Sequence, residues 1–363
     1  MGASKVVTFA LLGCGRIAQR YAKLLGKEEV KGGQLIAVCD VKTDKARKLG
    51  QEVGVPYYSN LDEMMSSHGT NIDVVCVLTE SGHHARDTLA VASYGKHVVV
   101  EKPMALTLND ADAMIRTCDM KGIKLFVVKQ NRLNLPIQKL REAFDKGKFG
   151  KMVLGSVKVR WRRDQSYYDQ DDWRGTWAMD GGVFANQASH HIDLLEWFLG
   201  EPVSVFAKSS TRLADIEVED TGAAIIKFKS GALGIIEATT AARPKDVEGS
   251  ITLMGEMGMV EVGGFAVNKM TRWEFVDTDH EDKDFLNKYS ENPPDVYGFG
   301  HKSYLESVIK SVSDNGPSLV DGLEGRKSLE LILAIYESIE TGKETPIHFS
   351  PSKCRLGLQG DKD

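Results

Sequence analysis

Residues 6–18 read Val6-Val7-Thr8-Phe9-Ala10-Leu11-Leu12-Gly13-Cys14-Gly15-Arg16-Ile17-Ala18. Val6 to Leu12 is a short apolar run, the pattern of a strand covered on both faces in a parallel sheet. Gly13 to Gly15 break it, and Arg16 to Leu25 then carries apolar residues at helical spacing. Between strand and helix the sequence is G-x-G-x-x-A. There the first glycine permits a tight turn and the second lets backbone approach a pyrophosphate. The small third residue lets helix and strand pack closely. The helix N-terminus offers unpaired N–H groups and the positive end of its dipole. Gly13, Gly15, Arg16 and Ile17 are therefore candidate phosphate-binding residues, although a glycine turn alone is also compatible with an ordinary loop.

The flanking sequence favours the phosphate reading. Leu35 to Cys39 is a second buried-strand run, ending at Asp40. A carboxylate there is placed to accept hydrogen bonds from the adenosine ribose of a dinucleotide. It also repels a 2′-phosphate, so NAD is expected over NADP, with Lys42 and Arg47 nearby working against that preference. Asp40 is equally compatible with capping the next helix. Further strands at Val74–Leu78, Val98–Val100 and Leu125–Val128 alternate with helices at Thr43–Leu49, His84–Tyr94 and Leu108–Lys121. That rhythm predicts an α/β fold with a parallel sheet covered on both faces, over residues 1–130.

Past Pro136 and one helix to Lys146 the rhythm changes. Met152–Trp161, Val203–Lys208, Ala223–Phe228, Leu233–Thr239 and Gly249–Met254 read as strands, several joined by glycine turns such as Lys229-Ser230-Gly231. Residues 131–363 are thus expected to form an α+β domain with an open mixed or antiparallel sheet. Its helices are predicted at Ser189–Leu199, His301–Ser313 and Leu323–Thr341. The domain junction falls near Lys129–Pro136, the kind of place where ligand pockets form.

Composition narrows the class. The chain has 363 residues, 42% hydrophobic and 27% charged, with a net charge of −5. That is enough for two cores, and it carries no basic footprint for nucleic acid. No apolar run is long enough to span a bilayer, and Met1 to Lys5 lacks the plan of a signal peptide. The five cysteines, Cys14, Cys39, Cys76, Cys118 and Cys354, form no C-x-x-C pair and read as free thiols in a reducing cytoplasm. With the cysteines dispersed and His83-His84 and His190-His191 adjacent, no metal site is expected.

Two features carry candidate chemistry. Glu101-Lys102-Pro103 follows a buried strand at its carboxyl end, the edge that faces the ligand crevice in open α/β sheets. Pro103 holds Lys102 extended, which fixes where its side chain starts. The second feature is Asp180-Gly181-Gly182-Val183-Phe184-Ala185-Asn186-Gln187-Ala188-Ser189-His190-His191-Ile192-Asp193. If helix has begun by Asn186, then Asn186 and His190 share a face at i, i+4. A histidine titrates near neutrality and suits proton transfer.

With the glycine turn, these elements resemble the glucose–fructose oxidoreductase, inositol dehydrogenase and rhizopine-catabolism (Gfo/Idh/MocA) family over nearly the whole chain. The resemblance implies a Rossmann domain followed by an α/β domain whose open sheet often serves as an oligomer interface. It also implies a homotetramer or dimer, sugar or polyol substrates, and Lys102 and His190 as the catalytic pair. Thr79, His84, Glu101, Lys102, Gln130, Trp173 and Arg174 are expected beside the cofactor. Lys102, Asn131, Arg160, Arg163, Tyr168, Asn186, His190 and His301 are candidate substrate contacts. Arginine suits a diphosphate or a uronate carboxylate, but Arg160 to Arg163 is equally readable as an exposed strand face.

One departure bears on substrate. Inositol dehydrogenase-like members have Asp where this chain has Asn186. Asn186-Gln187, Trp173-Arg174-Gly175-Thr176, Glu219-Asp220-Thr221, Gly231–Thr239, Tyr297-Gly298-Phe299-Gly300-His301 and Asp321–Lys327 are similar to bacterial UDP-N-acetylglucosaminuronate 3-dehydrogenases. That resemblance implies oxidation of a sugar C3 hydroxyl in lipopolysaccharide or other surface-polysaccharide biosynthesis. A polyol or simple-sugar dehydrogenase is the alternative within the fold. A non-catalytic NAD-binding regulator on the same fold is an alternative of another class, though a regulator is expected to lose the Lys or the His. No Tyr-x-x-x-Lys occurs, which argues against a short-chain dehydrogenase.

Overall fold

The computed structural model describes residues 6–27, 29–277, 285–293 and 296–358; the Met1–Lys5 segment read above lies outside them. Contacts divide the chain into two units, Met1–Lys129 with His301–Arg326, and Gln130–Gly300 with Lys327–Asp363.

In the first unit the buried apolar runs become strands. They are β1 (Val7–Leu12), β2 (Gly33–Cys39), β3 (Tyr57–Tyr58), β4 (Val74–Val77), β5 (His97–Val100) and β6 (Leu125–Val127). All described pairings are parallel, in the order β3-β2-β1-β4-β5-β6. This is the Rossmann order, in which chain direction across the sheet reverses beside β1 and leaves a ligand crevice at the strands' carboxyl ends. Phe9, Leu11, Val38, Val75, Val99 and Phe126 are all buried. Each such side chain contributes about 1.5–3 kcal/mol on leaving water. The helices α1 (Arg16–Gly26), α2 (Thr43–Val53), α3 (Leu61–His68), α4 (His84–Ser93) and α5 (Leu108–Met120) complete the βα repeats. β3 and α3 carry little signal in the sequence. β3 has only two residues, and α3 is announced chiefly by Asn60, whose side chain accepts from the Glu63 amide at 2.8 Å.

The second unit contains α6 (Leu135–Asp145), α7 (Gln165–Tyr168), α8 (Ser189–Leu199) and α9 (Phe285–Lys288). Its strands are β7 (Met152–Arg160), β8 (Pro202–Ser210), β9 (Thr221–Phe228), β10 (Leu233–Thr239), β11 (Glu248–Gly255), β12 (Gly258–Gly263), β13 (Lys269–Phe275) and β14 (Thr345–Pro346). They form a sheet in the order β13-β12-β11-β7-β10-β9-β8-β14. β7 and β10 pair in parallel and their outer neighbours antiparallel, so the sheet is mixed. α8 packs on one face, against β7, β10 and β11. The other face exposes Phe206, Ile225 and Ile235, which are cross-strand neighbours in one row.

Two helices close the chain, α10 (Gly300–Ser313) and α11 (Gly322–Thr341). The expected second domain ran unbroken from 131 to 363, but residues 301–326 belong to the first unit. Apolar side chains on α10 draw it there: Tyr304, Leu305 and Val308 are buried, and Ile309 Cδ1 would lie 2.7 Å from a Cβ built on Gly33. The Val127 amide donates to the Val320 carbonyl at 3.1 Å, and Arg326 pairs with Asp112 at 2.6 Å. Sequence spacing carries no mark of such a return. The five cysteines are buried free thiols. Among the described residues no helix is long and apolar enough to cross a membrane.

α8 is buried on nearly all sides. Within it His191 packs edge-to-face on Trp161, and neither ring nitrogen has a hydrogen-bond partner among the described residues. Burial pushes its pKa down to about 3, from an ordinary 6.5. The unfolded chain therefore binds a proton between those values that the folded chain does not, and this contribution to stability falls as pH drops from 6.5 towards 3. His191→Leu should flatten that acid limb. Chemical-denaturation midpoints measured from pH 7 to pH 4 would show it; equal slopes for both proteins would refute the assignment.

Candidate active site

In the first unit the glycine turn fits a dinucleotide. Gly13 has φ +100°, and a Cβ there would stand 2.7 Å from the Leu78 carbonyl group and 2.8 Å from the Thr79 amide nitrogen, so β4 leaves no room for one. At Gly15 the same construction meets nothing within 4 Å, leaving open space over the turn. α1 begins at Arg16 and Ile17 with no side-chain cap and no acidic residue in its first turn. Its N-terminus is therefore available to an anion. Asp40 Oδ2 accepts from the Cys14 amide at 2.8 Å, and Oδ1 from the Lys42 amide at 2.8 Å. The residue ahead of α2 is Lys42, so Asp40 is not its cap. It ties the glycine turn to the end of β2, and each carboxylate oxygen keeps a further lone pair for ribose hydroxyls.

Glu101 is buried beside Lys102. It accepts from the Tyr21 hydroxyl at 2.9 Å and from the Lys102 amide at 3.1 Å, and His301 Nε2 lies 3.8 Å away. Burial pushes its carboxyl up, but His301, the Lys102 charge and the Tyr21 hydroxyl together hold it below the ordinary value. His301 was expected at the substrate. It is instead 1% exposed, edge-to-face on Tyr21 at 5.8 Å, where it supports Glu101. His84, expected beside the cofactor, has Nδ1 2.7 Å from the Pro103 carbonyl and Nε2 3.0 Å from the Thr79 carbonyl. The ring thus lies between the Lys102–Pro103 turn and the end of β4, bonding one carbonyl or the other according to its tautomer. Burial lowers its pKa, and the two carbonyls oppose the shift. Thr79 donates its hydroxyl to Asp87 at 2.7 Å.

In the second unit His190 sits on α8, 7% exposed. Gln130 reaches it from a 3-10 turn, Gln130–Leu133, its carboxamide nitrogen 3.0 Å from His190 Nε2. One helical turn on, Arg132 grips Asp193 through two 2.8 Å bonds, with both side chains buried and the guanidinium 4.9 Å from the Trp197 ring centroid. Asn131, between them, is buried, and its Oδ1 has no protein partner among the described residues. Gln130, expected at the cofactor, is thus a neighbour of the histidine.

The proposed i, i+4 relation of Asn186 to His190 depended on where the helix starts. It starts at Ser189, and Val183–Gln187 forms a wider π-helical turn. Asn186 Nδ2 donates to Asp180 Oδ1, and Asp180 Oδ2 accepts from the Gly175 amide at 2.9 Å. Asp180 thereby joins the π-turn to the Trp173–Thr176 loop. Arg174 is held within that loop, over Trp173 at 4.5 Å and Tyr167 at 4.8 Å, with its Nη1 donating to the Tyr167 hydroxyl at 2.9 Å.

The remaining arginine candidates are committed inside the unit. Arg160 binds Glu237 through two bonds of 2.6 and 2.9 Å and Glu248 through one of 2.8 Å, on the sheet face opposite α8. Arg160, expected as a substrate contact, thus makes three bonds to two carboxylates. Arg163 pairs with Asp246 at 3.1 Å and stacks over Trp161 at 5.4 Å. The Tyr168 hydroxyl lies 3.2 Å from Thr240 Oγ1, and burial raises its pKa. Sequence reasoning missed Asp180 as a hub, Tyr21 under Glu101, and Tyr336, whose hydroxyl meets the Gly182 amide at 3.0 Å. The signal for Asp180 was present, since it begins the quoted glycine motif; Tyr336 lies in an unremarkable helix.

Gly13→Ala should weaken NADH binding at least tenfold, because the added methyl forces either the turn or the end of β4 to move and φ +100° is strained for any residue with a Cβ. Titration by NADH fluorescence with the folded variant checks this, and unchanged affinity would refute the placement of the cofactor at this turn.

Residues 7–129 match the oxidoreductase family model for an NAD-binding Rossmann fold, and residues 137–261 the GFO/IDH/MocA C-terminal domain. Myo-inositol 2-dehydrogenase of Thermotoga maritima is 30% identical over 91% of this chain and 95% of its own. The WlbA dehydrogenase of Chromobacterium violaceum, solved with NADH and UDP-GlcNAcA, superposes with a TM-score of 0.88 at 40% identity, covering 96% of this chain and 98% of that one. The Bordetella pertussis WlbA dehydrogenase, solved with the same two ligands, gives 0.90 at 38% identity over 96% and 100%. With the strand order and glycine turn above, these matches make the chain an NAD-dependent dehydrogenase of the Gfo/Idh/MocA oxidoreductase family.

Proposed function

We propose that this enzyme oxidises the C3 hydroxyl of a UDP-linked N-acetylglucosaminuronate, in the making of surface polysaccharide. The observation that carries the reading is the full-length likeness to two dehydrogenases solved with NADH and UDP-GlcNAcA, at 40 and 38% identity. Asn186 supports it, as a departure from the aspartate of inositol dehydrogenase-like members.

The roles follow from the side chains. NAD, when bound, supplies the hydride acceptor. The Gly13–Ile17 turn holds its pyrophosphate, and Asp40 its adenosine ribose. Lys102 donates to the reacting oxygen and lowers the cost of its negative charge. His190 takes the hydroxyl proton. Gln130, whose carboxamide nitrogen lies 3.0 Å from Nε2, orients the ring without adding charge beside it. Asn131 and Asn186 supply neutral hydrogen bonds to the sugar. Lys102→Ala and His190→Ala should each lower kcat by about 10²–10⁴-fold with NADH affinity within threefold of wild type. NADH formation from UDP-N-acetylglucosaminuronate tests both; near-normal turnover in either variant would remove that residue from the mechanism.

A second reading is supported by the Thermotoga maritima relative, a myo-inositol 2-dehydrogenase at 30% identity. Turnover of myo-inositol, with none of the nucleotide sugar, would favour it. We further propose that the exposed row Phe206, Ile225 and Ile235 is covered by a second copy of the chain. Ile225→Glu with Ile235→Glu should then lower the mass measured by light scattering to that of a smaller species, whereas an unchanged mass would point to another interface.

A further inference from the structure

The turn that leads into α8 begins with four amides that its own residues do not cap, the donors any helix N-terminus leaves open. All four are received by two residues distant in sequence. The Tyr336 hydroxyl oxygen, on α11, accepts from the Gly182 amide at 3.0 Å and the Ala185 amide at 3.3 Å. Glu219, just before β9, takes the Val183 amide on its backbone carbonyl at 3.0 Å and the Phe184 amide on Oε1 at 3.0 Å. The Tyr336 proton goes to the same Oε1, at 2.9 Å. Both side chains are buried. Gly182 has to lack a side chain, because a Cβ there would stand 2.1 Å from Glu219 Oε2.

From this cap the hydrogen bonds run on into the helix. The Ala188 amide donates to the Val183 carbonyl at 2.8 Å, and the Ile192 amide to the Ala188 carbonyl at 2.9 Å. Asn186 lies inside the capped turn and His190 in the first turn beyond it. Burial pushes the Glu219 carboxyl up to about 7, against the Phe184 amide, its own amide and the Tyr336 hydroxyl, and the Asp180 charge adds to the rise. A group so placed loses more by leaving its partners than an exposed carboxylate would.

We propose that Glu219 and Tyr336 are positioning residues for the reaction: together they cap the π-turn Val183–Gln187 and so set where His190 stands. Neither touches the reacting atoms. The inference rests on the proposed role of His190, and about 1 Å of misplacement in such a group costs on the order of a hundredfold in rate.

The test uses Tyr336→Phe, Glu219→Leu and Glu219→Gln in the full chain, each with and without His190→Ala. With UDP-N-acetylglucosaminuronate and NAD, Tyr336→Phe and Glu219→Leu should lower kcat about ten- to a hundredfold while NADH affinity changes less than twofold. Glu219→Gln, which keeps an acceptor for the Phe184 amide and the Tyr336 hydroxyl, should recover most of that loss. In the His190→Ala background the same substitutions should cost less than twofold, because the residue they position is gone. Equal fractional losses in both backgrounds would overturn the proposal, since they would mean general damage. A second measurement needs no substrate: imidazole nitrogen shifts of His190, assigned by their loss in His190→Ala. They should move in Tyr336→Phe and Glu219→Leu and return in Glu219→Gln. If the wild-type enzyme leaves the nucleotide sugar untouched, the functional reading fails while these spectra still judge the cap, and unmoved His190 resonances would reject it.

Discussion

A helix buried on nearly every side must have each of its polar side chains answered within the protein or carried neutral. α8 meets that constraint three ways in four residues. His190 is met by a carboxamide, Asp193 by a bidentate guanidinium, and His191 by giving up its charge. The answers for His190 and Asp193 come from a single 3-10 turn, Gln130 and Arg132. That turn therefore has to be where it is for the helix to be buried at all. Breaking the Arg132–Asp193 pair from one side would leave a charge stranded at a cost of about 3–5 kcal/mol.

Two buried glutamates show how the same burial gives opposite results. Glu101 faces His301, Lys102 and the Tyr21 hydroxyl, and these outweigh desolvation, so it stays ionised beside the lysine. Glu219 faces only neutral donors, with Asp180 adding a like charge, and desolvation wins. An ionised Glu101 is favoured by the Lys102 charge beside it. A Glu219 poised near neutrality suits a cap, where an acceptor oxygen matters more than charge. Residue type alone does not distinguish the two.

The sequence is most legible where local spacing carries the physics. β1, the glycine turn and α1 are contiguous, and their burial pattern is written in six apolar residues, two glycines and a helical repeat. The reading weakens where a partner arrives from far along the chain. Arg160 looks like a ligand for a phosphate because nothing nearby neutralises it; its carboxylates, Glu237 and Glu248, come from the strands on either side of β7. His301 looks like a helix-start contact until the return of α10 to the first unit places it on Glu101, two hundred residues earlier. The π-turn is illegible for another reason. Its first amides are met by Tyr336 and Glu219, distant in sequence, and Val183–Gln187 alone reads as ordinary helix.

The amide at position 186 follows from its surroundings. Asp180 presents Oδ1 to Asn186 and Oδ2 to the Gly175 amide, so it can only accept. An aspartate at 186 would set a second acceptor against the first and place two like charges in contact, raising one carboxyl's pKa until it protonated. A neutral donor satisfies Asp180 without that cost. His190 then receives its orienting contact from Gln130, also neutral. A carboxylate there would add a negative charge beside the ring, whereas a carboxamide meets it without one. The two neutral amides are thus linked choices. Once Asp180 is spent on holding the loop to the turn, position 186 is best filled by a donor, while Gln130 meets the histidine from the 3-10 turn.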